Sequence, residues 1–390
     1  MHGRDAPARA LDMAGLLVGA AGMFATMYST QAILPVLGEA FGVSPAQTGL
    51  TISVVVITVA AAGWVWGLVS DRYGRRRSLT LASALLAVPT LGVALAPSFE
   101  LFLLFRTLQG ICMPGLLIVG VPYVAEVFTP GLGGRAMGLY VAGLFAGGVV
   151  GRVGVGLVTA AAGWRLALGL LVLLPVTGAL VMRRTLPEAP LPPRSAGATV
   201  AVLGQLTNAR VLRPALAASA LFFTFVSVFS YVTFRLEKPP FDYGTGVVSL
   251  IFVLWALGVA SPPAGRLADR LGWCRVALLG LCSSATGVLL SLPATIVTLG
   301  LALTLVISGM FVGVTSAQLG VLEAGEVDRG VASAVYFTLY YAAGAAAGFL
   351  PGLAWERWAW PGVAACAAAA LAVGFGALLH TRRALAPIRR

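Results

Sequence analysis

Gly67-Leu68-Val69-Ser70-Asp71-Arg72-Tyr73-Gly74-Arg75-Arg76-Arg77 stands between two long apolar stretches, and its Gly, Asp, Arg, Gly pattern returns as Gly265, Asp269, Arg270 and Gly272, 198 residues later. That offset is about half of the 390-residue chain. Glu126 and Tyr140 recur in the same manner as Glu323 and Tyr336. A duplication on this scale predicts two similar bundles around a site near mid-membrane. A merely basic loop is the competing reading, against which a single copy would be a moderate signal. Two copies at matching places favour a shared role at the ends of the bundles.

The surrounding composition agrees. Of the residues, 59% are apolar and 10% charged, with mean hydropathy +0.93, whereas a soluble chain carries roughly 25% charged residues. The apolar stretches approach the twenty residues needed to cross a bilayer as a helix. They lack the alternation of a transmembrane barrel. A net charge of +12 would suggest nucleic acid in a soluble protein, but here the basic residues lie in short connections between apolar segments, so no nucleic-acid partner is expected. Cys112, Cys274, Cys282 and Cys366 include no Cys-x-x-Cys pair, and His2 and His380 lie near the chain ends. Neither a metal site nor a cofactor is expected.

Charge, Pro and Gly divide the chain into twelve predicted spans: about Met13 to Leu37, Thr48 to Val69, Ser78 to Ala96, Leu101 to Val124, Ala136 to Ala160, Leu166 to Met182, Pro214 to Phe234, Gly246 to Gly265, Val276 to Pro293, Ile296 to Leu319, Val331 to Leu350 and Trp360 to Leu379. The first could be a secretory leader after Arg4 and Arg9, but its apolar run is too long and no small-residue cleavage site precedes Pro35. The predicted fold class is an all-α membrane protein of twelve transmembrane helices in two pseudo-symmetric six-helix bundles, residues 1–182 and 214–390, joined by a Pro-rich cytoplasmic linker over 183–213. With an inward N-terminus, twenty basic residues fall on the cytoplasmic side and four outside, namely Arg165, Arg235, Lys238 and Arg357. The positive-inside rule then puts both termini in the cytoplasm.

Two arginines, Arg106 and Arg152, fall within spans. A charge there costs roughly 2.5–3.5 kcal/mol on insertion scales and must face protein or water. At 100° per residue Arg106, Gln109 and Met113 share a stripe of span 4, which predicts that they face a cavity; snorkelling to the outer interface competes for Arg106. Arg152 is deeper, and a role holding helix ends through carbonyls competes with a solute-facing one. Thr304, Ser308, Phe311, Thr315 and Gln318 form a polar stripe on span 10, with Tyr28 and Gln31 on span 1 and Ser219, Phe223 and Ser230 on span 7. Interhelical hydrogen bonding accounts for any one of these, less readily for all together.

The duplicated loop resembles the signature of the major facilitator superfamily, and Arg106-Thr107-Leu108-Gln109-Gly110 resembles its Arg-x-x-Gln-Gly element. Gly143, Gly147, Gly148, Gly151 and Gly154 resemble the Gly-rich fifth-span motif of its drug antiporters, departing at Gly148 where that motif carries Pro. Tyr28-Ser29-Thr30-Gln31-Ala32-Ile33-Leu34-Pro35, the run from Gly330 to Tyr336, and Tyr340, Tyr341 and Gly344 are similar to the YnfM-type, arabinose-efflux-like permease branch of bacterial drug/proton antiporters. The resemblance implies alternating access, a cavity lined by spans 1, 4, 7 and 10, and proton-coupled efflux of a small organic solute or drug across the inner membrane of a bacterium; a monomer is expected. Import of a sugar or organic anion is the alternative, and a sensor on the same fold a weaker one. Gly67, Asp71, Arg72, Gly74, Arg75 and Glu126, with Gly265, Asp269, Arg270, Gly272 and Glu323, would form the cytoplasmic gate. Gly67 is expected to allow close helix contact, and the loop's arginines to pair with acids at neighbouring helix ends, of which Glu126 is the natural candidate.

An enzyme is not expected, since no span holds a His, a carboxylate pair or a metal-ligand cluster, and no nucleotide-binding loop is present. No acid sits mid-span, leaving Glu126 and Glu323 as the candidate protonation sites. With arginines as the charges inside, neutral or anionic solutes should be preferred over cations.

Overall fold

The computed structural model describes residues 10–127, 133–187, 208–260, 262–324 and 329–385, and among them every regular element is helical. Among the described residues nine helices are by themselves long and apolar enough to cross a membrane, and a bent pair near the N-terminal end makes a tenth span. The helix Arg329–Leu385 is two spans meeting at Ala359, where φ is 47° and ψ is −139°. A broken span, Thr245–Ser249, Leu250–Ala260 and Pro262–Leu271, completes twelve.

Span 1 comprises Ala10–Met27, a 3₁₀ turn Ser29–Ile33 and Leu34–Phe41. Spans 2 to 6 are Pro45–Tyr73, Arg75–Leu95, Phe99–Val127, Gly133–Ala162 and Trp164–Thr185. Span 7 is Ala209–Leu236, span 9 Trp273–Leu290 and span 10 Ile296–Ala324. Spans 2 and 10 outrun their apolar patterns, ending at Tyr73 and Ala324, because a helix leaving the bilayer keeps its backbone bonds while polar residues such as Asp71 and Arg72 are solvated. Span 8 departs from the expected continuous α-helix: Leu250–Ala260 is a 3₁₀ helix. Pro262 and Pro263 follow it and supply no N–H to the preceding carbonyls, so the α-helical ladder is interrupted. Most of the predicted linker, 188–207, lies outside the described residues; its two ends are helical.

The last Gly of each duplicated motif now has a physical role. Gly74 and Gly272 break the chain between spans at φ 88° and 84°, a left-handed conformation that a Cβ disfavours. The first Gly of each does not: a Cβ at Gly67 or Gly265 would meet nothing within 4 Å. Close helix contact, expected of Gly67, is therefore not what requires it.

The chain folds as two compact units. The first is Met1–Phe41, Val54–Arg194 and Gly244–Val253; the second is Gly42–Ser53, Ser195–Tyr243 and Leu254–Arg390. Within the first, Gly147 and Gly151 of span 5 lie directly against the backbone of Ala21 and Ala25 of span 1. In the second, Gly280 of span 9 meets Gly309 and Gly313 of span 10 in the same way. Small residues at such crossings let helix backbones touch, which is how apolar helices associate without a hydrophobic driving force.

Candidate functional site

The first unit is organised around the break in span 1. The helix ends at Met27 and bends by 42° through the turn that follows. A bend of this kind frees backbone carbonyls, which must find donors in an apolar environment. Arg106 supplies them: Nη1 donates to the Thr26 carbonyl at 2.9 Å and Nη2 to that of Met27 at 2.7 Å. Nη1 also donates to Gln109 Oε1 at 2.8 Å, and Gln109 Nε2 donates to Thr90 Oγ1 at 3.0 Å. Arg106, Gln109 and Met113 are all buried. Sequence periodicity placed Arg106 and Gln109 on one side of their helix, and the structure packs that side against spans 1 and 3. The broken helix offers acceptors that the periodicity could not foresee.

Arg152 lies beside the same break, fully buried. Its Nε donates to Gln31 Oε1 at 2.8 Å and its Nη1 to the Gly148 carbonyl at 2.8 Å. The guanidinium carbon stands 4.5 Å from the ring centre of Tyr28 and 5.5 Å from that of Phe252. Three residues selected from sequence, Tyr28, Gln31 and Arg152, thus form one cluster, and Phe252 of span 8 is an addition. Its only sequence signal is an aromatic residue within an apolar run. Ring faces and amide dipoles favour a buried cation without neutralising it.

The second unit carries a different surface. Thr304, Ser308, Thr315 and Gln318 of span 10 are all half-buried, and Thr304 Oγ1 donates back to Gly300. Phe311 is buried against Trp255, ring centres 5.7 Å apart, and Trp255 lies 5.0 Å from Phe225. On span 7, Phe223 is half-buried and Ser230 buried. The hydroxyls of Ser219 and Ser227 are buried with no hydrogen-bond partner among the described residues. Ser227 follows Phe223 by one helical turn, so its spacing could have placed it with the others. Phe222 of span 7 stacks on Tyr340 of span 11 at 4.0 Å, and Tyr340 on Tyr336 at 5.6 Å; this ladder was not read from sequence.

At the arginine-rich end the two units are built differently. Arg75 grips Glu126 with two bonds, Nε to Oε2 at 2.5 Å and Nη2 to Oε1 at 2.6 Å, a strong geometry for this pair. Arg76 Nη2 caps span 6 at the Arg183 carbonyl, 2.7 Å away. Asp71 is half-exposed and Arg72 exposed. In the second unit Asp269, Arg270 and Glu323 are exposed and make no ion pair among the described residues. The position matching Arg75 is Trp273, whose indole lies where a Cβ on Gly320 would stand. One unit therefore closes this corner by charge and the other by an indole on glycine. We expect a double-mutant cycle of Arg75→Ala and Glu126→Gln, read by denaturation in mixed micelles, to give a coupling near 1 kcal/mol. The pair is bidentate, but its side chains are 11% and 30% exposed, which screens it. Trp273→Ala with Glu323→Gln should show no coupling.

Twelve spans, a duplicated motif at their arginine-rich ends and buried polar clusters on broken helices describe a polytopic helical membrane protein built to carry solutes. The chain matches the Major Facilitator Superfamily profile over residues 16–349, and it belongs to that family of transporters. It is 30% identical to the Inner membrane transport protein YnfM of Escherichia coli (strain K12), over 92% of this chain and 88% of that one. It is 27% identical to the Uncharacterized MFS-type transporter YybF of Bacillus subtilis (strain 168), over 87% and 85%. Among solved structures, a mutant form of the nucleoside transporter NupG superposes with a TM-score of 0.76 at 14% identity, covering 94% of this chain and 99% of that one. At that identity the likeness concerns the fold alone.

Proposed function

We propose that this transporter works by alternating access and exports a small neutral or anionic organic solute from the cytoplasm in exchange for protons. In this reading it is a monomer in a bacterial inner membrane, with both termini cytoplasmic and residues 1–182 and 214–390 as its two bundles. The observation that carries the solute class is the Tyr28, Gln31, Arg152 and Phe252 cluster. It holds a cation in a low-dielectric setting among dipoles and rings, so a second cation nearby would meet repulsion of about 4 kcal/mol at an effective dielectric constant near 20 and 4 Å. Within the second unit, the polar stripe of span 10 and the buried hydroxyls of Ser219 and Ser227 are groups able to hydrogen-bond a solute. Proton coupling is supported by Glu126: protonation would remove the charge that Arg75 holds and release the corner. Glu323, which makes no such pair among the described residues, is the second candidate. Asp71 and Asp269 complete the gate in this reading.

Proteoliposomes screened with solutes, with and without an imposed pH gradient, test the proposal. Flux should follow the gradient in the wild type. Glu126→Gln with Glu323→Gln should abolish gradient-driven flux while leaving exchange of solute for solute. Uphill transport by the double variant would place the proton elsewhere, and a wild type indifferent to the gradient would remove the antiport reading. Calorimetry comparing a lipophilic quaternary ammonium with a carboxylate of matched size should favour the carboxylate, and Arg152→Ala should erase that preference.

A further inference from the structure

A second feature lies in the second unit, at the end of its spans opposite Asp269. The last turn of span 7, the chain after it and the join of spans 11 and 12 line a partly open cavity of about 470 Å³. Its charged lining is Arg235, Lys238 and Glu356, and the remainder is tryptophan, proline and alanine. The volume is that of a small-molecule site.

The charges in this cavity are fixed but not cancelled. Arg235 is buried, and its Nη2 donates to the carbonyls of Leu292 at 3.1 Å and Pro293 at 3.0 Å, while Nη1 donates to that of Ser291. Its guanidinium carbon lies 4.9 Å from the ring centre of Trp360, whose Nε1 donates to Ser291 Oγ at 3.0 Å. These partners orient the guanidinium and leave its charge in place. Lys238 is exposed, with its Nζ 5.8 Å from the ring centre of Trp355. Neither cation makes an ion pair among the described residues. The single acid of the lining, Glu356, accepts a hydrogen bond from the Ala46 N–H at 3.1 Å in the first turn of span 2, where a helix N-terminus already holds its charge. Ala359, also in the lining, keeps a left-handed φ of 47° that a residue with a Cβ disfavours. Backbone strain of this kind concentrates at ligand sites.

We propose that this cavity binds a phosphate anion carried on a larger body, with Lys238 and Arg235 facing the phosphate and the indoles of Trp355 and Trp360 lining the adjoining part. Two sources present this chemistry: the headgroup of an anionic phospholipid, reached from the membrane interface, and a soluble phosphate ester. The site is separate from the solute cluster and does not depend on the direction or coupling of transport.

The full chain, purified in detergent, can be titrated by native mass spectrometry with phosphatidylglycerol and with phosphatidylcholine of the same acyl chains. Wild type should retain phosphatidylglycerol preferentially. Lys238→Gln should weaken its retention about fivefold, the equivalent of about 1 kcal/mol for one basic residue near an anionic headgroup, and Lys238→Arg should restore it. Arg357→Gln, exposed and outside the cavity, should retain it as wild type does. Lys238 is the residue to vary because Arg235→Gln would also release three carbonyls. Displacement by millimolar glycerol 3-phosphate would mark soluble esters as ligands, and failure to displace would mark the lipid; both outcomes keep the site. Equal retention of the two lipids by wild type, or wild-type retention by Lys238→Gln, would overturn the proposal.

Discussion

Arg106→Ala should destabilise the protein by about 3–5 kcal/mol, read as a lowered denaturation midpoint in mixed micelles, whether or not any solute is present. The substitution removes the donors that hold the Thr26 and Met27 carbonyls and the Gln109 amide oxygen. Each buried acceptor left without a donor costs about 1–3 kcal/mol, and the truncated side chain also leaves a cavity. Arg106→Lys should recover only part of this, because one ammonium group cannot span two successive carbonyls and an amide as a planar fork does. If Arg106→Ala kept wild-type stability while losing solute binding, the bracing role would be wrong and a solute-facing role right.

Gly147 tests the crossing of spans 1 and 5. A Cβ there would overlap the carbonyl oxygen and the Cα of Ala21. These are backbone atoms, so relief requires moving a whole helix. Gly147→Ala is expected to cost about 1–3 kcal/mol and Gly147→Leu more than about 3 kcal/mol, with loss of monodisperse protein on size exclusion. Gly154, two turns along the same helix, has nothing within 4 Å of its would-be Cβ. Gly154→Ala should be neutral, or stabilising by up to about 1 kcal/mol through helix propensity alone. Equal tolerance at both positions would show that the close approach of spans 1 and 5 does not hold the unit together.

Gly147 and Gly154 look alike in sequence, as members of one Gly-rich run. What distinguishes them is the helix opposite, and nothing local to span 5 encodes it. The same limit applies to Arg106. Its shared face with Gln109 followed from helical periodicity, but its partners are carbonyls created by a break in span 1. The available signal for that break was Pro35, which cannot donate to the carbonyl of Gln31. Arg152 was legible as a buried cation needing compensation. Tyr28 and Gln31 were legible as polar positions on span 1, while their meeting with Arg152 and Phe252 was not.

By itself the sequence determined the membrane environment, the helical class, the number of spans, the internal duplication and the family. These follow from apolar run length, the placement of charge and the positions of Gly and Pro, all of which act along the chain or within a few residues of it. Tertiary structure alone decided which glycines are contacts and which are turns, as with Gly147 against the Ala21 backbone and Gly74 at φ 88°. It also decided that the duplicated corners differ, an Arg75–Glu126 ion pair in one unit and Trp273 against Gly320 in the other. A buried charge announces only that it needs partners. Which dipoles, rings or carboxylates supply them depends on segments far apart in sequence, and their approach is set by the packing of whole helices.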